Sequence, residues 1–151
     1  MNKLVIADRG ASGIGKSASV REVFYQLSRK YKPKLEEWQY EKDKGDIKAI
    51  FEIEGAYVGI ESQGDPDYDM EKTIDEFVEK YKCDIIVTAC RTKGSTYQKI
   101  NTCLRNKGYD ILWYAHYVYQ GKDTSNAWEA FKETYAEKVV ELIKERIAGK
   151  F

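Results

Sequence analysis

The segment from residue 10 to residue 17 constrains this chain more than any other part of the sequence. Its residues are Gly10-Ala11-Ser12-Gly13-Ile14-Gly15-Lys16-Ser17. The glycines permit turn conformations in which successive backbone N–H groups point into one concavity, and such a concavity suits an anion. Lys16 adds a positive charge, and Ser17 offers a hydroxyl at the start of a predicted helix, where the helix dipole favours a negative ligand. The segment is therefore predicted to bind phosphate.

The flanks of this segment predict a strand before it and a helix after it. Leu4 to Ala7 form a short apolar run, which is typical of a buried parallel strand. Beyond the segment, apolar side chains recur at helical spacing: Val20, Val23, Phe24, Leu27 and Tyr31. A glycine-rich turn between an ordinary strand and helix is the alternative, but it leaves the Lys-Ser pair unexplained.

In this context residues 10–17 fit the pattern G-x-x-x-x-G-K-[S/T] at every fixed position and resemble the Walker A motif of the P-loop NTPase superfamily. The resemblance covers roughly the first 30 residues. It implies that the residues from Gly10 to Ala18 bind the phosphates of a nucleoside triphosphate, ATP or GTP, together with Mg²⁺. It does not separate kinases from ATPases, GTPases or binding proteins without hydrolysis.

Composition excludes several other classes. The chain has 151 residues, with 25 Lys plus Arg and 25 Asp plus Glu, so no global field favours nucleic acid or an anionic membrane. The longest apolar stretch, Ile111 to Val118, is too short to span a bilayer. The three cysteines, Cys83, Cys90 and Cys103, contain no Cys-x-x-Cys pair and indicate free thiols in a reducing cytoplasm. We expect one cytoplasmic domain over residues 1–151.

Strands alternate with helices along the chain. We expect strands over Ile47–Ile53, Tyr57–Ile60, Asp84–Ala89 and Tyr109–Tyr119 and helices after Pro66, over Ser95–Lys107 and from Asn126 onward, with residues 32–46 as a long connection. This pattern predicts an α/β, three-layer, P-loop NTPase-like fold. Its sheet would be mainly parallel and five-stranded, with helices on both faces and one β-hairpin around Glu54-Gly55-Ala56. Ligands of such sheets bind at the carboxyl ends of the strands.

A phosphate-binding loop needs an acid that holds Mg²⁺ or its water. Glu61 directly follows an apolar strand, and Asp65 lies four residues further on in a Gly-Asp-Pro turn. Both are candidate metal-side acids together with the Ser17 hydroxyl, and the sequence leaves open which of the two acids serves. Glu61-x-x-Gly64 is also similar to the D-x-x-G switch segment of small GTPases, although a simple strand exit followed by a turn explains it as well.

The guanine-reading N-K-x-D pattern is absent after the strand that ends at Ala89, and residues 32–46 contain no Ser or Thr. We therefore expect ATP rather than GTP. From Arg91 to Lys107 there are five basic residues and no acidic ones. Arg91, at a strand end, is the candidate for stabilising a transferred phosphoryl group or for holding an anionic acceptor. For Lys99, Arg105 and Lys107 we prefer a solvated face paired with the acidic helix that follows Pro66.

Three functions stay open. The first is nucleotide hydrolysis, with Lys16, Arg91 and Asp65 as catalytic candidates. The second is a small-molecule or nucleotide kinase. The third is a non-catalytic switch in which nucleotide orders residues 32–46 for a protein partner. A homo-oligomer would also be able to supply an arginine in trans. His116 is expected to be structural, and the roles of Asp8 and Arg9 stay open.

Overall fold

Alternating strands and helices build an α/β fold around one sheet. The computed structural model describes residues 1–10, 16–63, 70–115 and 119–151. Its strands are β1 (Leu4–Arg9), β2 (Leu35–Gln39), β3 (Asp46–Ile53), β4 (Ala56–Glu61), β5 (Ile85–Cys90) and β6 (Asp110–Ala115). Its helices are α1 (Lys16–Ser28), α2 (Met70–Glu79), α3 (Ser95–Gln98), which continues as a π-helix over Lys99–Leu104, and α4 (Thr124–Ile147).

The sheet has the strand order β2-β3-β4-β5-β1-β6. The four neighbouring strands from β4 to β6 are parallel, whereas β3 is antiparallel to both of its neighbours. In the register, Arg9 lies opposite Cys90 on one side and Ala115 on the other. The carboxyl ends of β1, β5 and β6 are therefore level, and the chain leaves all three at one edge of the sheet.

Helices cover both faces of the sheet because the central strands are apolar on both sides. Leu4 and Ile6 of β1 belong to the core under α1 and α4, whereas Val5 and Ala7 belong to the core under α2 and the α3–π-helix segment. All four side chains are buried. The three-layer arrangement follows directly from the unbroken apolar run at Leu4 to Ala7.

The expected five-stranded, mainly parallel sheet is wrong in two respects. The sheet has six strands in the described residues, and it is mixed. The missed strand, β2, falls inside the expected connection over residues 32–46. As an edge strand it pairs only with β3, and its Glu36 and Glu37 are exposed, so no apolar run marked it.

Local turn and cap signals had different outcomes. The hairpin is confirmed: Glu54 and Gly55 join β3 to β4 with φ of 51° and 84°, the conformation that a two-residue hairpin turn requires.

The expected start of the last helix at Asn126 is wrong. The cap is Asp123, whose side chain accepts a 3.3 Å hydrogen bond from the Asn126 backbone N–H. The expected strand to Tyr119 is described only to Ala115, since residues 116–118 lie outside the described residues.

Arg146, near the end of α4, holds together the end of the sheet at which β1 and β6 begin. Its guanidinium donates hydrogen bonds to the carbonyl oxygens of Asn2 (3.1 Å) and Lys3 (3.3 Å) and to the Asp110 carboxylate (2.7 Å). The Arg146 side chain is only 6% exposed, whereas that of Asp110 is 66% exposed. These contacts fix the end of α4 at the amino ends of β1 and β6. Among the residues that the structure describes, no helix is both long and apolar enough to cross a membrane.

We expect Arg146→Met to lower the free energy of unfolding by about 2–3 kcal/mol, because it removes the buried guanidinium and the charge-assisted hydrogen bonds that this group donates. Asp110→Asn should cost less than about 1 kcal/mol, since that carboxylate is mostly in water. Urea unfolding of both variants measures the difference. An equal loss in the two variants would mean that the ion pair, and not the backbone carbonyls, makes the larger contribution.

Candidate functional site

The ammonium group of Lys16 lies where the ends of two strands meet the start of α1. Its Nζ donates hydrogen bonds to the carbonyl oxygens of Gly10 (2.5 Å) and Cys90 (2.7 Å). The Gly10 N–H in turn donates to the Cys90 carbonyl at 3.2 Å. The Lys16 residue is 7% exposed. A positive charge is thus held at the carboxyl ends of β1 and β5, the place where the fold positions ligands.

Ser17 connects the start of α1 to the end of β4. Its hydroxyl donates a 2.8 Å hydrogen bond to the Ser62 carbonyl oxygen. Ser62 is buried, and its own hydroxyl accepts from the Ile47 N–H (2.9 Å) and donates to the Asp46 carboxylate (3.0 Å). With its proton engaged by Ser62, the Ser17 oxygen keeps its lone pairs for another ligand. Ala18, the next residue of α1, is half-buried.

Glu61 is fully buried at the end of β4. One carboxylate oxygen accepts a 2.8 Å hydrogen bond from the Thr88 hydroxyl, and the other accepts from the Gln63 N–H. Thr88 lies directly opposite Glu61 in the β4–β5 register. β4, which carries this acid, is not next to β1 in the sheet, because β5 lies between them. Even so, the Ser17–Ser62 contact brings the residue after Glu61 to the first turn of α1.

The chemistry of these residues fits Mg²⁺ bound with phosphate. Mg²⁺ takes oxygen ligands and keeps several waters, and it needs only one or two carboxylates when phosphates supply the rest. Ser17 and Glu61 provide one hydroxyl and one carboxylate at the same edge of the sheet. A group of three or more His, Cys, Asp or Glu side chains able to hold a metal ion by itself is absent from the described residues.

Arg9, the last residue of β1, is held across the same edge of the sheet. Its Nη2 donates to the Thr92 carbonyl oxygen at 3.0 Å. The guanidinium carbon lies 4.8 Å from the centroid of the Tyr97 ring and 5.3 Å from that of the Trp113 ring, and these two rings stack on each other at 5.2 Å. Arg9 thereby joins β1 to β6 and to the chain that leaves β5, which answers the question that the sequence left open.

Arg91 directly follows Cys90, the residue whose carbonyl oxygen binds Lys16. The Arg91 side chain is half-buried, and its backbone N–H donates to the Thr96 hydroxyl at 3.4 Å. The pairing expected for the rest of the basic segment is confirmed for Lys99, which forms an ion pair with Asp75 of α2, and for Lys107, which pairs with Glu79 at 3.0 Å. Arg105 instead donates to Asn101 at 3.1 Å.

Asp8 is fully buried on the face of the sheet that α4 covers. The Tyr135 ring packs edge-on against Tyr114 of β6 at 5.0 Å. Burial, with the nearby Asp8 carboxylate, raises the pKa of Tyr135 well above its ordinary value. The Asp8 charge is therefore directed toward α4, on the opposite face of β1 from Arg9.

Several candidate residues lie outside the described residues. They are Ala11, Ser12, Gly13, Ile14 and Gly15 of the phosphate-binding segment, Asp65 and His116. The structure instead adds two residues that the sequence did not single out, Ser62 and Thr88, and a bridging role for Arg9. Their partners are distant in sequence, by 83 residues for Arg9 and Thr92. The only sequence signal for Thr88 is a hydroxyl within an otherwise apolar strand.

The two buried cysteines are protected from reaction. Burial raises the pKa of the Cys90 thiol to about 11, although the Lys16 and Arg9 charges lower it in part. Burial likewise raises the pKa of the Cys83 thiol to about 12. Cys103 is exposed, and all three thiols are free, as the sequence predicts.

We expect a thiol reagent at pH 8 to label Cys103 rapidly and the other two cysteines at least about tenfold more slowly, because the thiolate is the reacting form and burial disfavours it. Mass spectrometry of timed samples identifies the labelled site. Labelling in guanidinium, where all three should react, is the control. Rapid native labelling of Cys90 would show that the Lys16 edge of the sheet is open.

We expect Thr88→Val to lower the free energy of unfolding by about 1–3 kcal/mol, because it removes a hydrogen-bond donor from a buried carboxylate without changing the side-chain shape. Thr88→Ser keeps the hydroxyl and should lose less than about 1 kcal/mol for the missing methyl. Urea unfolding compares the two variants. The hydrogen bond to Glu61 would contribute nothing if both variants lost the same amount.

Comparisons of this chain with protein-family models, with curated proteins and with solved structures gave no match in any of the three.

Proposed function

We propose that the protein binds a nucleoside triphosphate, ATP in the first place, with Mg²⁺, and that it hydrolyses or transfers the terminal phosphoryl group. The observation that carries this proposal is the position of Lys16. Its buried ammonium group lies at the carboxyl ends of the parallel strands β1 and β5 in a mixed sheet, at the start of a helix and at the end of a Walker A-like sequence. A cation and a helix start at this point favour phosphate.

The roles of the other residues follow from their contacts. Lys16 now donates to two neutral carbonyl oxygens, and phosphate oxygens are stronger acceptors for the same ammonium protons. Ser17 and Glu61 would hold the metal ion, either directly or through its water. Mg²⁺ supplies neutralisation of phosphate charge when it is bound. Arg91 directly follows Cys90, whose carbonyl oxygen accepts a hydrogen bond from Lys16. It would stabilise charge on the transferred group.

A kinase is the second candidate, and the basic residues after β5 favour it. Lys99 and Lys107 are neutralised by acids of α2, whereas Lys93 is exposed and forms no hydrogen bond or ion pair with the described part of the chain. Lys93 and Arg91 would then hold an anionic acceptor. Phosphate release from ATP alone supports hydrolysis, and phosphate transfer that needs an added metabolite supports the kinase.

The switch alternative rests on contacts between α1 and the β2–β3 connection. Arg21 donates to the Gly45 carbonyl at 3.3 Å, and the Tyr25 hydroxyl donates to Asp43 at 2.5 Å. A nucleotide bound at the start of α1 would therefore change the position of residues 43–45 through the contacts that they make with this helix. Tight binding without turnover would favour this function over both enzymes.

We expect ATP with Mg²⁺ at a hundredfold excess over its Kd to raise the Tm by roughly 5–10 °C, because a ligand that binds only the folded state stabilises it. Lys16→Ala should abolish the shift, since it removes the phosphate-binding charge. Differential scanning fluorimetry makes the measurement, with ATP and GTP compared.

Lys30→Ala is the matched control. Lys30 is an exposed lysine just past the end of α1, so its variant should keep the full shift. An equal shift in wild type and in Lys16→Ala would place the nucleotide elsewhere. No shift of the wild-type protein with any nucleoside triphosphate would refute the proposed function.

A further inference from the structure

A cleft lies at the end of the sheet opposite to Lys16. It is formed by the chain just past α1, the β3–β4 hairpin and the last turns of α4, and its volume of about 580 Å³ is typical of a small-molecule site. Tyr31, Ile53 and Ile147 supply apolar surface to it. We call it the α4 cleft.

The α4 cleft belongs to the amino end of the parallel strands. The end of α4 is fixed there, because Arg146 donates to the carbonyl oxygens of Asn2 and Lys3, which precede β1. The hairpin residue Glu54 lies just before β4, which is parallel to β5. The segments outside the described residues follow β1, β4 and β6 in the chain, so they adjoin the carboxyl ends of these strands. The lining of the cleft lies entirely within the described residues.

Charged side chains of both signs line the α4 cleft. There are five of them: Glu54, Glu141, Lys144, Glu145 and Lys150. Within the described part of the chain only Glu141 forms an ion pair, and its partner Lys138 lies outside the cleft. Elsewhere, by contrast, Lys48 and Lys99 both pair with acids of α2. The charges of the cleft are therefore available to a ligand that carries charges of its own.

Like charges also lie side by side at the α4 cleft. The side chain of Lys30 lies beside that of Lys144, and its ammonium group lowers the pKa of Lys144. The Glu145 carboxylate lies within hydrogen-bond reach of the Glu141 carboxylate, one turn earlier on α4. Like charges at this helical spacing are destabilising. A ligand with an ammonium group near the two carboxylates and a carboxylate near Lys144 would relieve both repulsions.

We propose that the α4 cleft binds a free α-amino acid with an apolar side chain. Glu141 and Lys144 are three residues apart, so they are neighbours on the helix surface, and this spacing suits a ligand whose two charges are on one carbon. The ligand ammonium binds Glu141 and Glu145, its carboxylate binds Lys144, and its side chain packs on Tyr31 and Ile147. The proposal does not depend on the proposed function, because the two sites lie at opposite ends of α1.

The charges of the α4 cleft favour such a zwitterion over a phosphate group. Three carboxylates line the cleft, and they would repel a ligand that carries only negative charge. Both α1 and α4 end at this place, and the carbonyl end of a helix favours a positive group. An inorganic ion would also leave the apolar side chains of the cleft in contact with water. An amino acid uses both kinds of surface.

Isothermal titration calorimetry with L-leucine and L-phenylalanine tests the proposal. At least one of the two should bind with a Kd below about 1 mM. The analogues without an ammonium group are 4-methylpentanoate and 3-phenylpropanoate, and those without a carboxylate are the two amino acid amides. Each should bind at least about tenfold more weakly than its parent, because it loses charge-assisted hydrogen bonds. Glycine should lose at least about tenfold as well, since it has no side chain to bury.

Variants of α4 locate the binding site. Lys144→Met and Glu145→Gln should each lower the affinity for the amino acid at least about fivefold. Glu137→Gln is the matched control, because Glu137 is an exposed acid of α4 that does not line the cleft, and it should keep the affinity within about twofold. The Tm of each ligand-free variant should stay within about 2 °C of wild type, which excludes a loss of fold as the cause of weaker binding.

The possible results separate the α4 cleft from other sites. Binding of neither amino acid by the wild-type protein would overturn the proposal and leave the nucleotide site untouched. Equal binding of the amino acid and of either charge-deficient analogue would show that the ligand is not recognised as a zwitterion. Affinity that stays unchanged in both Lys144→Met and Glu145→Gln would place the amino acid elsewhere and overturn the assignment.

Discussion

The position of β1 between β5 and β6 determines which side chains can meet in this fold. Parallel pairing on both sides brings Arg9, Cys90 and Ala115 to one level. The chain leaves β1 at Gly10 and returns at Lys16, whose ammonium binds the carbonyl oxygens of Gly10 and Cys90. A buried ammonium group needs such acceptors, so the start of α1 is held at this edge. The contacts of Ser17 and of α4 depend on that placement.

Local signals in the sequence predicted what is local in the structure. The apolar run at Leu4 to Ala7 and the helical spacing from Val20 onward predicted β1 and α1, and Glu54-Gly55 predicted the hairpin turn. The strand β2 and the order of the strands were not predictable in this way. An edge strand with exposed glutamates carries little apolar signal, and strand order depends on pairing between residues far apart in the chain.

The candidate site likewise combines features that local sequence predicts with contacts between distant residues that it does not predict. Lys16, Ser17 and Glu61 stand out in the sequence through residue type and position, and the charge difference between α2 and the segment after β5 predicted the ion pairs of Lys99 and Lys107. Thr88 and Ser62 could not be assigned from the sequence, because their importance comes only from the neighbours that the sheet gives them. The role of a hydroxyl in a strand can be assigned only when its partner in the register is known.

The contacts of the site also connect the β2–β3 region to Glu61 and to α1. Glu61 is fixed by Thr88 and by the Gln63 N–H, and the Gln63 side chain donates to Gln39 at the end of β2. On the other side, Arg21 of α1 binds the Gly45 carbonyl. Residues 39 and 45 are thus connected to the Glu61 carboxylate and to the helix that begins with Lys16, by two independent routes. Any rearrangement of Glu61 or α1 around bound phosphate would therefore act on both ends of this short segment at once.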